Sequence, residues 1–359
     1  MQREDYLSRK MRTIEVRKRS VSELLEAMSA TGFQGKQLAN AYKVLRAMIE
    51  EKDNTIFLGL AGSMSTTGQW RIVKWLVENR YVDVLVSTGA NVSEDLLEGL
   101  GFSYYQGSHV ADDEELLEHQ IDRYYDVYAD ELEYRQLEGF IGEFMEGLDR
   151  SHPYSSAEFL HLFGKYQHER GIDSIVAVAY RTGVPIYSPA LADTGYGVAA
   201  AQLYKDKGIR VTLDQFADLV QLGEIGDRSE HTSVVYVGGG VPKDTIQLVS
   251  VIVDLNRGGE QVFPHKYAVQ ITTDSPQWGG LSGCTFEEAV SWGKIDSSQE
   301  TRAVCYCDAT IALPILSHAL VETLDGPRAG ADLDWVFDAV RNQAQEPAQE
   351  PRVLQGATS

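Results

Sequence analysis

Apolar residues recur at helical spacing near the start of the chain. Leu24, Leu25 and Met28 share one face, behind Ser20 and Glu23 at the spacing of a capping box. A second helix is predicted over about Gln37 to Met48, with Leu38, Tyr42 and Leu45 in register. Beyond residue 50 the period changes. Thr55–Leu60 is a short apolar run, followed by the turn AGSMSTTG and a helical stripe of Trp70, Val73, Leu76 and Val77. Val82–Val86, then STGANVSEDL, then another helical stretch repeat the scheme. Strand, small-residue turn and helix in alternation predict βαβ units.

Residues 104–170 are rich in Tyr, Glu and His, and helix is expected there. The strand rhythm returns at Ile175–Ala179, Val184–Tyr187, Val234–Val237, Tyr267–Thr273 and Ala303–Tyr306, all short and mostly apolar as central parallel strands are. Pro185 is tolerated where it stands, at a strand start. The expected fold is α/β: a Rossmann-like open parallel sheet with helices on both faces and an N-terminal helical extension. The expected division is 1–50 for the extension, 51–341 for one sheet domain, and 342–359 for a disordered tail in which AQEP occurs twice.

Composition narrows the partners. The 359 residues carry a formal net charge of −21, a field that repels nucleic acid and anionic membrane and attracts cations, polyamines included. A solvated acidic surface accounts for the same charge. Cys284, Cys305 and Cys307 are too few and too odd for a disulfide framework, and no Cys or His completes a metal-ligand spacing with them. The first twenty residues are charged throughout, and no apolar stretch reaches the roughly 18 residues of a membrane span. A cytoplasmic protein without signal peptide, metal, nucleic-acid or membrane partner is expected.

In an open parallel sheet, ligands gather at the carboxyl ends of the strands. The first such turn holds Gly62, Ser63, Met64, Ser65 and Thr66, small enough for a phosphate to approach the backbone, although a plain tight turn explains it equally. The second holds Thr88, Gly89 and Ala90, with Ser93 and Glu94 just beyond. Glu94 suits a ribose hydroxyl, an ammonium group or merely a helix dipole. Gly238-Gly239-Gly240 closes a third strand, and Asp193 and Asp308 follow two others. The segment Glu287-Glu288-Ala289-Val290-Ser291-Trp292-Gly293-Lys294-Ile295 sets a lysine beside a tryptophan. Partial desolvation there frees the amine as a nucleophile, while an isolated lysine is more often a solvated surface charge.

This last segment resembles the signature around the imine-forming lysine of deoxyhypusine synthases. FLGLAGSMSTTG, STGANVSEDL, SPALADTGYG, VGGGVPKD and CDAT resemble further blocks of that family in the same order, over roughly residues 20–325. The resemblance implies NAD bound by Gly62, Ser63, Met64, Ser65, Thr66, Thr88, Gly89, Ala90, Glu94, Asp193, Gly239, Thr273, Asp274, Asp308 and Ala309. It implies Lys294 as nucleophile, with Trp292 and Glu288 as its catalytic neighbours. Ser93, Glu94, Asp244, Gly279, Gly280, Glu288 and Trp292 would line the amine site, in a homotetramer with active sites between subunits.

The chain departs from the family pattern where acids are usual, at Val198, Trp278 and Leu281. Asp244 replaces a usual His, and Gly62-Ser63 a usual Ser-Asn. Three readings follow. The first is aminobutyl transfer from spermidine to a lysine of the hypusine-carrying translation factor. The second is transfer between small amines such as putrescine, to homospermidine or a similar product. The third is an NAD- or polyamine-binding regulatory module without turnover.

Overall fold

The computed structural model describes residues 2–259, 262–280 and 282–341. Six parallel strands form the main sheet: β1 (Asn54–Leu60), β2 (Val84–Ser87), β6 (Ile186–Tyr187), β7 (His231–Val237), β8 (Tyr267–Thr272) and β9 (Arg302–Tyr306). They lie in the order β6-β2-β1-β7-β8-β9, so the chain winds outward in both directions from the β1/β7 pair. That reversal of direction is the switch point at which a doubly wound sheet leaves a crevice.

Both faces are covered, as the short unbroken apolar strands require. On one face Leu58, Leu60, Val235 and Val237 meet Leu45, Met48, Leu76, Leu313 and Leu316 from the helices Phe33–Glu50, Trp70–Glu78 and Ala309–Val321. On the other lies the helix Gly240–Asn256, itself covered by Gln215–Arg228. Ser20 caps the early helix Val21–Ser29, its hydroxyl accepting from the Glu23 amide at 3.2 Å while Glu23 takes the Ser20 amide at 2.9 Å.

Two expectations are corrected. Ile175–Ala179 is not a strand but the start of a helix, Ile175–Thr182. Ser174 caps it by accepting from the Ala177 amide at 2.9 Å, and the Asp95 carboxylate takes the Ile175 amide at 2.6 Å. Gly183, at φ 66°, ends it. The run reads as a strand because its five residues, Ile175–Ala179, are all buried, which erases the helical period over that stretch. Residues 104–170 are not helical throughout. β3 (Tyr105–Gln106), β4 (Ile121–Tyr124) and β5 (Val127–Asp130) form a small antiparallel sheet before the helices Glu131–Glu146 and Ser156–Glu169. The expected disordered tail and Leu281 lie outside the described residues.

An Asp83 carboxylate anchors the base of the sheet. It is fully buried, accepts from the Ile56 and Ala331 amides at 2.8 Å each, and meets the guanidinium groups of Arg328 and Arg80. No helix among the described residues is long and apolar enough to cross a membrane, and none of their side chains cluster as a metal site.

Candidate active site

The turns after five strands converge on one cleft. Gly62 after β1, Ser87 and Thr88 at the end of β2, Asp193 after β6, Gly239–Pro242 after β7, and Asp274 and Ser282 after β8 line a cavity of about 370 Å³. A second cavity, about 240 Å³, adjoins it through Asp193 and is lined by Ala90, Ser93, Glu94, Asp122, Tyr124, Tyr134 and Glu138 among others.

Close backbone approach shapes the first cavity. Gly238 has φ 74°, in the region where glycine is at no cost. At Gly239 a Cβ would stand 2.4 Å from Ser282 Cα, so the β7 turn and the segment after β8 touch main chain to main chain. The Asp274 carboxylate accepts from the Ser282 amide at 3.0 Å, and the hydroxyls of Thr272 and Ser282 share a 2.6 Å hydrogen bond.

The first two turns are braced on each other. The Met64 amide donates to Asn91 Oδ1 at 2.7 Å, Ser65 Oγ to the Asn91 carbonyl at 3.0 Å, and Thr88 Oγ1 to the Gly62 carbonyl at 2.7 Å. Met64, Ser65 and Thr66 are buried, so the rim of the cleft falls to Gly62, Thr88 and Ala90. Gly89 packs against Thr194. Glu94 is largely buried and accepts a hydrogen bond from Ser63 Oγ; burial raises its carboxyl above the usual range, and the Ser63 bond opposes the rise.

Tyr104, Tyr134 and Tyr124 extend this polar network. Tyr104 donates to the Glu94 carbonyl at 3.0 Å and shares a 2.8 Å bond with Tyr134, which meets Tyr124 at 3.1 Å. The sequence reading missed Asp122, Tyr124 and Tyr134; for the first two the strand pattern of IDRYYDVYAD was the available signal, while Tyr134 lies on the helix that follows.

It also missed Lys243, which is fully buried. Its ammonium donates to Gln270 Oε1 at 3.0 Å and to the carbonyls of Ser282 and Cys284 at 2.9 and 2.6 Å. Burial lowers its pKa; Cys284, Asp244 and Glu288 oppose the fall and Lys294 adds to it, so these groups share one electrostatic neighbourhood. Position alone, directly after the glycine turn, did not distinguish this lysine from a surface one.

Lys294, Trp292 and Glu288 line neither cavity of the cleft. The Lys294 backbone is tied down, its carbonyl accepting from the His265 amide at 3.0 Å, while its ammonium stands 4.5 Å from the centroid of the Trp292 ring. Trp292 is 69% exposed in the single chain, which does not provide the dry pocket expected around the lysine. Glu288 spends one carboxylate oxygen on the Thr285 amide, at 2.6 Å, capping its own helix. The Asp244 carboxylate lies against Gly283. Thr273 and Gly279 are exposed, and Gly280 abuts the Asp274 carboxylate. Asp308 caps Ala309–Val321, taking the Thr310 amide at 2.7 Å, and neither it nor Ala309 lines the cleft.

A crevice at the switch point of a doubly wound parallel sheet, lined by glycine turns, places the chain among the doubly wound, Rossmann-like α/β proteins. Comparison carries the assignment further. The family model described as "Deoxyhypusine synthase" matches residues 23–320. The protein named "Probable deoxyhypusine synthase 2" of Methanosarcina mazei is 47% identical over 320 residues, 89% of this chain and 91% of that one. The "Deoxyhypusine synthase-like protein" of Chlorobaculum parvum is 38% identical over 322 residues, 88% and 91% of the two chains. The fold matches the solved structure of a candidate deoxyhypusine synthase from Entamoeba histolytica, with TM-score 0.57 at 16% identity, covering 86% of this chain and 97% of that one. The chain belongs to the deoxyhypusine synthase family, a membership that supports a transferase and aminobutyl transfer as its class of chemistry.

Proposed function

We propose that the chain is an NAD-dependent transferase that moves an aminobutyl unit through an imine on Lys294, in a site completed by a second copy. The observation that carries the reading is the division of the machinery. The cleft has glycine turns and the largely buried Glu94 carboxylate but no lysine among the described residues that line it, while Lys294 and Trp292 stand outside it with Trp292 and Trp278 exposed. Large exposed aromatics mark a surface meant to be covered. A lysine from one copy entering the cleft of another fits the homotetramer that the resemblance implies.

The residues present suit NAD: Gly239 leaves no room for a side chain, Glu94 offers a carboxylate to a ribose hydroxyl, and the two cavities adjoin. Gly62, Thr88, Asp193, Gly239 and Glu94 would hold it. Bound there, NAD supplies the capacity to accept a hydride from the carbon next to an amine nitrogen and to return it. The chain's own part is positional and nucleophilic. Lys294 Nζ, as free amine, attacks the carbon of the oxidised substrate's imine; the C–N bond to the leaving amine breaks, and that amine departs with a proton. The acceptor amine then attacks the lysine imine and releases Lys294. The Trp292 ring covers the lysine once a second copy excludes water, which would otherwise hydrolyse both imines.

A second reading, transfer between small amines such as putrescine, is favoured by Val198 and Trp278, which offer no anion where the family pattern has acids, and by Asp122 and Glu138 in the smaller cavity. Purified protein with NAD and a panel of putrescine, spermidine and agmatine, with and without the translation factor, separates the two by product mass. Spermidine with the factor as much the best pair overturns the small-amine reading. No transfer with any pair overturns both.

A further inference from the structure

A third cavity, about 420 Å³, lies across the edge strand β9 and is lined by Gln34, Gln37, Asp274, Glu287, Gln299 and Arg302 among others. Asp274 and Ser282 form the wall between it and the cofactor cleft, since both line the two cavities. Arg302 dominates it. Its side chain is only 10% exposed, and Nη1 is buried with no hydrogen-bond partner among the described residues. Nη2 stands 3.5 Å from Glu287 Oε1, but the Glu287 side chain is 72% exposed, so this pair is weak. A buried guanidinium N–H without an acceptor is costly, and a planar carboxylate is the group its fork geometry best accepts.

Asp274 brings the opposite sign to the same cavity. Asp274 Oδ2 is held by the Ser282 amide, and Oδ1 has no hydrogen-bond partner among the described residues. A lone anion in this space would meet Asp274 and Glu287; a bare diamine would meet Arg302. A ligand with both charges satisfies both signs.

We infer that this cavity binds a small amine that also carries a carboxylate, an amino acid of the ornithine type, with the carboxylate on Arg302 and the amine on Asp274 beside the cofactor cleft. The orientation follows from the shared wall, which puts the amine rather than the carboxylate next to the cleft. The site therefore names the second substrate of the proposed transferase as an amino acid, and in this role it rests on that reading; the binding itself does not.

Calorimetry on the full chain, with L-ornithine, putrescine and inorganic phosphate as probes, tests it. Ornithine and putrescine differ by one carboxylate. Arg302→Met is expected to weaken ornithine by roughly tenfold or more and leave putrescine unchanged, while Arg302→Lys, which keeps the charge but loses the fork, weakens ornithine by less than Arg302→Met does. Thermal melting confirms that each variant folds. The inference is overturned if ornithine does not bind, if Arg302→Met weakens both amines equally, or if phosphate competes with ornithine as well as the amino acid does itself. Lys294 takes no part in the assay, so failure of imine transfer would leave a positive result standing.

Discussion

Replacing Lys243 by methionine keeps the length of the side chain and removes the buried charge. In the wild type the ammonium has three acceptors, and the rings of Tyr236 and Phe286 lie 5.6 and 5.7 Å away. The Ser282 carbonyl keeps a second donor, Gln270 Nε2 at 3.1 Å, so the substitution strands two groups, Gln270 Oε1 and the Cys284 carbonyl. Each stranded acceptor costs about 1–3 kcal/mol. Relief from burying a cation offsets part of this, and a net loss of about 3 kcal/mol is expected. Urea unfolding followed by tryptophan fluorescence reads it as a lower midpoint at unchanged slope. Because the same ammonium holds the segment that carries Ser282 against the β7 turn, NAD affinity should fall as well. A variant as stable as the wild type, with unchanged NAD affinity, would refute the claim that Lys243 organises this side of the cleft.

Three further outcomes follow from single residues. Burial pushes the Asp95 carboxyl up to about 7, against the opposing Ile175 amide, so its contribution is fully present below the unfolded carboxylate value near 4 and is lost as pH rises through about 7. The stability of Asp95→Asn relative to wild type should therefore rise from pH 5 to pH 8, and a melting-temperature difference that ignores pH contradicts this. Gly239→Ala forces Cβ into the Ser282 backbone, and NAD titration should show affinity reduced by roughly tenfold or more. Glu94→Gln removes the carboxylate that would repel a 2′-phosphate, so the preference for NAD over NADP measured by calorimetry should narrow; an unchanged ratio argues against Glu94 as the ribose contact.

The sheet was legible because parallel strands buried on both faces leave short apolar runs closed by small-residue turns, a mark that β1, β2, β7 and β8 carry, and the edge strand β9 keeps a short apolar run although one of its faces is partly exposed. Helix Ile175–Thr182 was not, because burial of all five residues of Ile175–Ala179 removes the polar face that betrays a helix; its signals were the cap Ser174 and the terminal Gly183. The small sheet of β3, β4 and β5 was hidden by composition, since Tyr, Glu and His suit partly exposed strands as well as helices. At the site, turn chemistry located Gly62, Thr88, Asp193 and Gly239 around one cleft. Lys243 and Arg302 were out of reach, because a buried cation is set apart only by the carbonyls and cavities folded around it. The position of Lys294 outside the two cavities of the cleft was equally unreadable, since a motif reports neighbours in sequence and not neighbours in space.

The central claim is that Lys294 carries the transferred unit. Borohydride reduction of the full chain with NAD and labelled putrescine or spermidine, followed by peptide mass mapping, tests it most directly. The account predicts one aminobutyl adduct, on Lys294, absent from Lys294→Arg although that variant folds and binds NAD. An adduct on another lysine, or amine transfer at the wild-type rate by Lys294→Arg, would contradict it.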